Sequence, residues 1–165
     1  MLSAESASGR FPVEAVAAMA DVCAAISGRR SNQVDNEFLM RETENIDDTA
    51  AVTAIFAAAR ARAAAIVIIT DSCAVPLRMS RYVSSAPIYV LTNSSRNAGW
   101  MSLFQNVNPL VIEWNGNFGH QVASLKSRLI AEGKLRAGDV VIVMKVRPEA
   151  ACCATNFMHL SYVES

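Results

Sequence analysis

The chain has 165 residues, enough for a single core that buries about two-thirds of the surface exposed by the unfolded chain. Fifteen basic residues balance fifteen acidic ones with no basic run, so the electrostatic footprint of a nucleic-acid or anionic-membrane partner is missing. No apolar stretch approaches the roughly 20 residues of a membrane span, and Met1 to Phe11 lacks the basic start and long apolar centre of a signal peptide; a soluble cytoplasmic protein is expected.

In chain order, MLSAESASGRF is small and polar and reads as an extension rather than a core element. Pro12 to Ser27 has a helical pattern, with Pro12 in the first turn, Glu14 near the positive end of the dipole and Gly28 placed to stop it. Val13, Val16, Ala17, Ala20 and Ala24 make one apolar stripe, and Met19, Val22, Cys23 and Ile26 make another. A helix apolar on two sides calls for cover on two sides, from more than its own sheet. Arg29 to Glu44 is hydrophilic around Phe38-Leu39-Met40 and reads as a surface loop with a solvated face. Asp47 and Asp48 then precede an alanine-rich helix ending at Arg60 and Arg62, charges that suit the dipole at both ends, with Val52, Ile55, Phe56 and Ala59 as the expected buried stripe.

Ala65 to Ile69 is an unbroken apolar run, the pattern of a central parallel strand covered on both faces. Thr70, Asp71 and Ser72 follow at once, and Pro76 suits the first turn of a helix; a strand ending in small polar residues at a helix N-terminus is where open α/β sheets hold anions. IYVLTN is a second strand, followed by a helix from Ser94 to Met101. LVIEW, after Asn108-Pro109, is expected as a third, and a break over Asn115 to Gly119 precedes a helix from His120 to Ala131 closed by Gly133. VVIVMKV is the fourth strand. From Thr155 to Val163 residues alternate, with Asn156, Met158, Leu160 and Tyr162 on one side; a short connection makes this strand return antiparallel and form an edge. The expected fold is α/β: a three-layer sandwich whose five-stranded sheet is mostly parallel, with the last strand antiparallel at the edge and helices on both faces.

The four cysteines, Cys23, Cys73, Cys152 and Cys153, include no C-x-x-C, and His120 and His159 are far apart, so zinc spacing is absent. Reduced, structural thiols are expected. Cys73 alone has an argument for reactivity, a helix N-terminus that would lower its pKa.

The order of residues also carries a resemblance. MLSAESASGRFPVEAV resembles the segment, commonly MLSGETAKGxYPxEAV, by which pyruvate kinases leave the last strand of their catalytic barrel and enter the C-terminal domain. AIVIITDSCAVPLRMSRY is similar to that family's strand and phosphate-holding loop of the T-x-S-G-R-S type, and GDVVIVMKVRP with Thr155-Asn156 resembles its last strands and effector loop. The resemblance implies that residues 1–11 are a remnant of the barrel exit segment and residues 12–165 a pyruvate kinase C-terminal-like domain. It implies no catalytic, cofactor or metal residue here, since magnesium, potassium and nucleotide belong to the barrel, and no enzyme activity for the isolated chain.

Within the implied effector loop, Thr70 and Ser72 keep the two hydroxyl positions, while Cys73, Ala74 and Val75 stand where the family has Gly-Arg-Ser. Gln121, Arg147 and Thr155 are the candidate effector contacts, and Asn156, Met158, Leu160 and Tyr162 the candidate interface. Three functions are weighed: an assembly and regulatory domain forming a homodimer or tetramer, a subunit active only with a separate barrel-containing chain, and a small module for a phosphorylated ligand.

Overall fold

The structure, a computed structural model, describes residues 1–29, 42–82, 84–113, 118–146 and 157–164, with only the backbone of residues 27–29. The chain forms two compact units, Met1–Gln33 and Val34–Ser165. No described helix is long and apolar enough to cross a membrane.

In the first unit, α1 (Ala4–Ala7) has no buried residue, and α2 (Pro12–Arg29) runs through Gly28 rather than stopping there. The extension expected over residues 1–11 is thus partly helical. Gly9 closes the turn after α1, with its N–H on Ala4 O at 2.8 Å, and a Cβ there would meet Glu5 O at 2.5 Å. Only glycine lets the chain pass so close to the preceding turn.

In the second unit, α3 (Ile46–Ala61) begins at an extended Asn45 whose side chain accepts from Asp48 N at 3.0 Å. That bond satisfies one of the orphan donors of the first turn, so the cap is Asn45, and Asp47 and Asp48 lie inside the helix instead of before it. At the other end Arg62 takes a left-handed conformation, φ 49°, and Ala63 N bonds Ala58 O at 2.9 Å, a close relative of the glycine stop. The buried face is Ala51, Ala54, Ile55 and Ala58, whereas Val52, Phe56 and Ala59 of the expected stripe are half-buried. The helix is turned toward its smallest residues, which let its backbone lie close to the sheet.

Strands β1 (Ala65–Ile69), β2 (Ile88–Thr92), β3 (Val107–Val111), β4 (Val140–Lys145) and β5 (Phe157–Tyr162) form one sheet in the order β3-β2-β1-β4-β5, parallel except for β5. β1 is buried at every position, as its unbroken apolar run requires. The connecting helices are α4 (Ala74–Ser80), α5 (Ser95–Met101) and α6 (Phe118–Ala131). One face of the sheet packs Ile66, Ile68, Val90 and Ile142 against α3, α4 and α5, and the other packs Val67, Leu91 and Val141 against α6, giving three layers.

β3 begins earlier than LVIEW and includes Asn108-Pro109. Ile88 donates to Asn106 O and Ile112 to Thr92 O, so even-numbered residues turn their backbone toward β2 and Pro109 faces the open side. A missing N–H costs the ladder nothing there, which is why a proline sits within an edge strand. The loop expected between Arg29 and Glu44 lies mostly outside the described residues, as do Arg147, Cys152, Cys153, Thr155 and Asn156.

Candidate functional site

The small polar residues after β1 form a compact, internally bonded loop. Thr70 is 4% exposed, and its Oγ1 accepts from Ser72 N at 3.0 Å; Ser72 Oγ in turn accepts from Ala74 N at 3.2 Å. Such hydroxyl turns are what Ser and Thr favour where the chain leaves a strand. Their consequence here is electrostatic, because two of the backbone N–H groups that an anion would use are occupied by the loop itself.

Asp71 completes the arrangement. Its Oδ1 accepts from Thr92 Oγ1 and from Asn93 N, both at 2.9 Å, and its carbonyl accepts from Asn97 Nδ2 at 2.6 Å. The carboxylate pins the ends of β1 and β2 together and adds a negative charge to the same loop, between Thr70 and Ser72 in sequence. A phosphate would meet that charge, with Ala74 standing where the resemblance implies an arginine. This brace was missed in the sequence; its signal was an acidic residue directly after a strand, facing a Thr-Asn pair at the end of the next one.

Cys73 and Val75 take structural roles. Val75 is 1% exposed, in the cluster under α3 and α4. The Cys73 Sγ lies 3.9 Å from Asn97 O, and burial pushes its thiol pKa up, contrary to the lowering expected from a helix N-terminus. Desolvation disfavours the thiolate.

Gln121, on α6, sends its Nε2 to Glu113 O, 3.1 Å away just beyond β3, two strands from β1. Its described hydrogen bond therefore does not join it to the Thr70–Val75 loop. Among the described residues, no group of three His, Cys, Asp or Glu side chains could hold a metal ion.

The edge strand is the second candidate. Met158 packs against the cluster under α3, while Leu160 and Tyr162 are 46% and 70% exposed. Val163 donates to Asp139 O, so odd-numbered residues of β5 bond to β4 and the N–H of Leu160 points away from the sheet. On the opposite face Phe157 meets Phe118 edge-on, with ring centroids 5.7 Å apart, and stacks on His159, while Lys126 Nζ donates to Ser161 Oγ at 2.7 Å. α6 is thereby tied to the outermost strand.

Residues 48–161 match the family model described as "Pyruvate kinase, alpha/beta domain". The chain is 35% identical over 147 residues to a pyruvate kinase of Haemophilus influenzae, covering 87% of this chain and 30% of that protein. It is 31% identical over 168 residues to pyruvate kinase II of Salmonella typhimurium, covering 99% of this chain and 34% of that protein. A crystal structure of Cryptosporidium parvum pyruvate kinase superposes with a TM-score of 0.80 at 21% identity, over 99% of this chain and 32% of that one, a likeness of fold. The chain thus spans about a third of the length of these relatives.

Proposed function

The chain belongs to the pyruvate kinase alpha/beta-domain family, and from that premise we propose that it is a noncatalytic, cytoplasmic assembly domain that pairs with a second copy of itself through β5. The observation that carries this reading is the open backbone edge of β5 with Leu160 and Tyr162 exposed beside it. An unpaired edge with apolar neighbours is a template for another strand, and a twofold contact is the commonest way to satisfy it. The chain makes no phosphoryl transfer by itself, because that chemistry rests on positioned phosphates and metal charge, which the resemblance assigns to the barrel. Regulation by a sugar bisphosphate is weakened with it: the Thr70–Val75 loop occupies its own N–H groups and presents Asp71.

Light scattering at tens of micromolar should give a dimer or tetramer, and Leu160→Pro should give a monomer. That substitution removes an outward N–H that the β4–β5 ladder does not use, and circular dichroism should show that the chain still folds. A monomeric wild-type chain overturns the reading. A coupled assay with phosphoenolpyruvate, ADP, magnesium and potassium should show no turnover.

A second reading, a subunit that works only with a barrel-containing pyruvate kinase chain, is favoured by α2, whose Val13, Val16, Val22 and Ile26 are exposed. Co-expression with such a chain decides it: a complex lost on Val16→Asp and Ile26→Asp supports this reading.

A further inference from the structure

A strand that adds to β5 must use its outward backbone groups, and these belong to the even-numbered residues Met158, Leu160 and Tyr162. A twofold contact between two copies of β5 runs antiparallel, so even residues pair with even ones by hydrogen bonds and odd residues stand opposite odd ones. Within Phe157–Tyr162 two such registers share the longest overlap. In one, His159 stands opposite its own twin. In the other, Leu160 meets its twin and His159 stands opposite Ser161 of the second copy.

His159 is exposed, on the face of β5 that carries Phe157 and Ser161, and its ring stacks on Phe157 with centroids 6.0 Å apart. Side chains directly opposite across a strand pair have Cβ atoms about 4.5–5.5 Å apart and diagonal ones about 7–8 Å, so both registers bring the two imidazoles into each other's field. In the second register each also faces a Ser161 whose Oγ holds the ammonium of Lys126 at 2.7 Å. The neighbouring elements add charge of the same sign. Lys145 of β4 stands opposite Phe157, and Lys126 of α6 lines the cavity that His159 lines, whereas His120 and Arg128 of α6 line the cavity beside β3. Glu164 is the acid at the His159 cavity among the described residues, and it lies beyond the end of β5, away from the twofold axis.

We propose that His159 makes the β5 contact pH-sensitive: neutral imidazoles pack across the seam, and protonating them sets like charges against each other and against Lys126, so the pair loosens as pH falls. Histidine is the side chain whose charge changes between about pH 5 and 8, and like charges facing each other across paired strands are destabilising. The stack on Phe157 lies within one strand, is the same in the single chain and in the pair, and cancels. The switch rests on the assembly reading and adds a direction to it.

Sedimentation velocity over a dilution series of the full chain, at about pH 8 and about pH 5.5 and at one ionic strength, is the test. The dimer dissociation constant of the wild type should rise at least about threefold on acidification. His159→Gln should keep the tighter pairing at both pH values and His159→Lys the weaker one at both. Carboxylates, thiols and His120 are common to all three chains, so their titration cancels in the comparison. Both substitutions are at an exposed side chain, and circular dichroism at each pH checks that the chains are folded. A dimer equally tight at the two pH values, a pH dependence that survives in His159→Gln, or a His159→Lys chain as tight as the wild type at about pH 8 overturns the switch and leaves the assembly reading standing. A wild-type chain that is monomeric at about pH 8 and tens of micromolar overturns both.

Discussion

Helices α2 and α3 are both rich in alanine, both begin with acidic residues in the first turn, and differ in length by two residues, 18 against 16. Yet Ala51 and Ala54 of α3 are fully buried and Ile55 nearly so, while Val13, Val16, Val22 and Ile26 of α2 stand 50–76% exposed. The larger apolar residues are on the helix whose own unit leaves them exposed. An apolar stripe tells which face of a helix is fit to be covered, and whether it is covered depends on what its own unit brings to it. For α3 that is the sheet face carrying Ile66, Ile68 and Ile142, together with the Arg78 to Asp48 ion pair at 3.4 Å, which links α4 to its first turn.

The contrast should be sharpest in paired truncations. Ile55→Ala in α3 should cost about 2–5 kcal/mol by transfer and cavity terms, while Val16→Ala in α2 should stay within about 0.5 kcal/mol in the isolated chain. Urea denaturation measures both; equal losses would mean that α2 is buried in solution. Overfilling comes next. Ala54→Leu should destabilise by about 1–3 kcal/mol, since a larger side chain at a fully buried position forces the helix off the sheet, and Ala18→Leu on the exposed side of α2 should be near neutral. The smallest effect is chemical rather than thermodynamic. Cys23 is exposed, and Cys73 is partly buried with its pKa raised. Iodoacetamide at neutral pH, followed by peptide mass analysis, should therefore modify Cys23 before Cys73; the raised pKa keeps the Cys73 thiolate scarce until the pH climbs past the ordinary thiol range. Faster labelling of Cys73 would contradict its burial.

Much of this was legible in the sequence because it rests on period and run length. The unbroken run of β1 reads as a strand covered on both faces, and the alternation after Thr155 reads as a strand at the sheet's edge. The misplaced features depend on partners that no local pattern contains. β3 keeps Pro109 because the sheet happens to end there, so a residue that marks a break elsewhere is an ordinary member of this strand. The buried face of α3 is set by how closely the helix approaches the sheet, which favours Ala51 and Ala54 over Val52 and Phe56. At the candidate site, position was readable and chemistry was not. Thr70 and Ser72 stand where an anion site would be, but whether their neighbours are free or spent depends on Asp71 reaching Thr92 across 21 residues of chain. The donation of Gln121 Nε2 to Glu113 O is likewise invisible until Glu113 is placed beside it.

Pro109 also bears on how large an assembly can grow. The sheet has two borders, β3 and β5, and a head-to-tail array would need the β3 of one molecule to receive the β5 of the next, a contact that repeats without closing and yields a fibre. At the middle of the outward rim of β3, Pro109 supplies no donor, so an incoming strand would leave a carbonyl unanswered at the centre of the seam. The border at β5 is free of proline. One end of the sheet is thus capped by its own sequence, and under that polarity the pairing proposed through β5 would close on itself rather than extend.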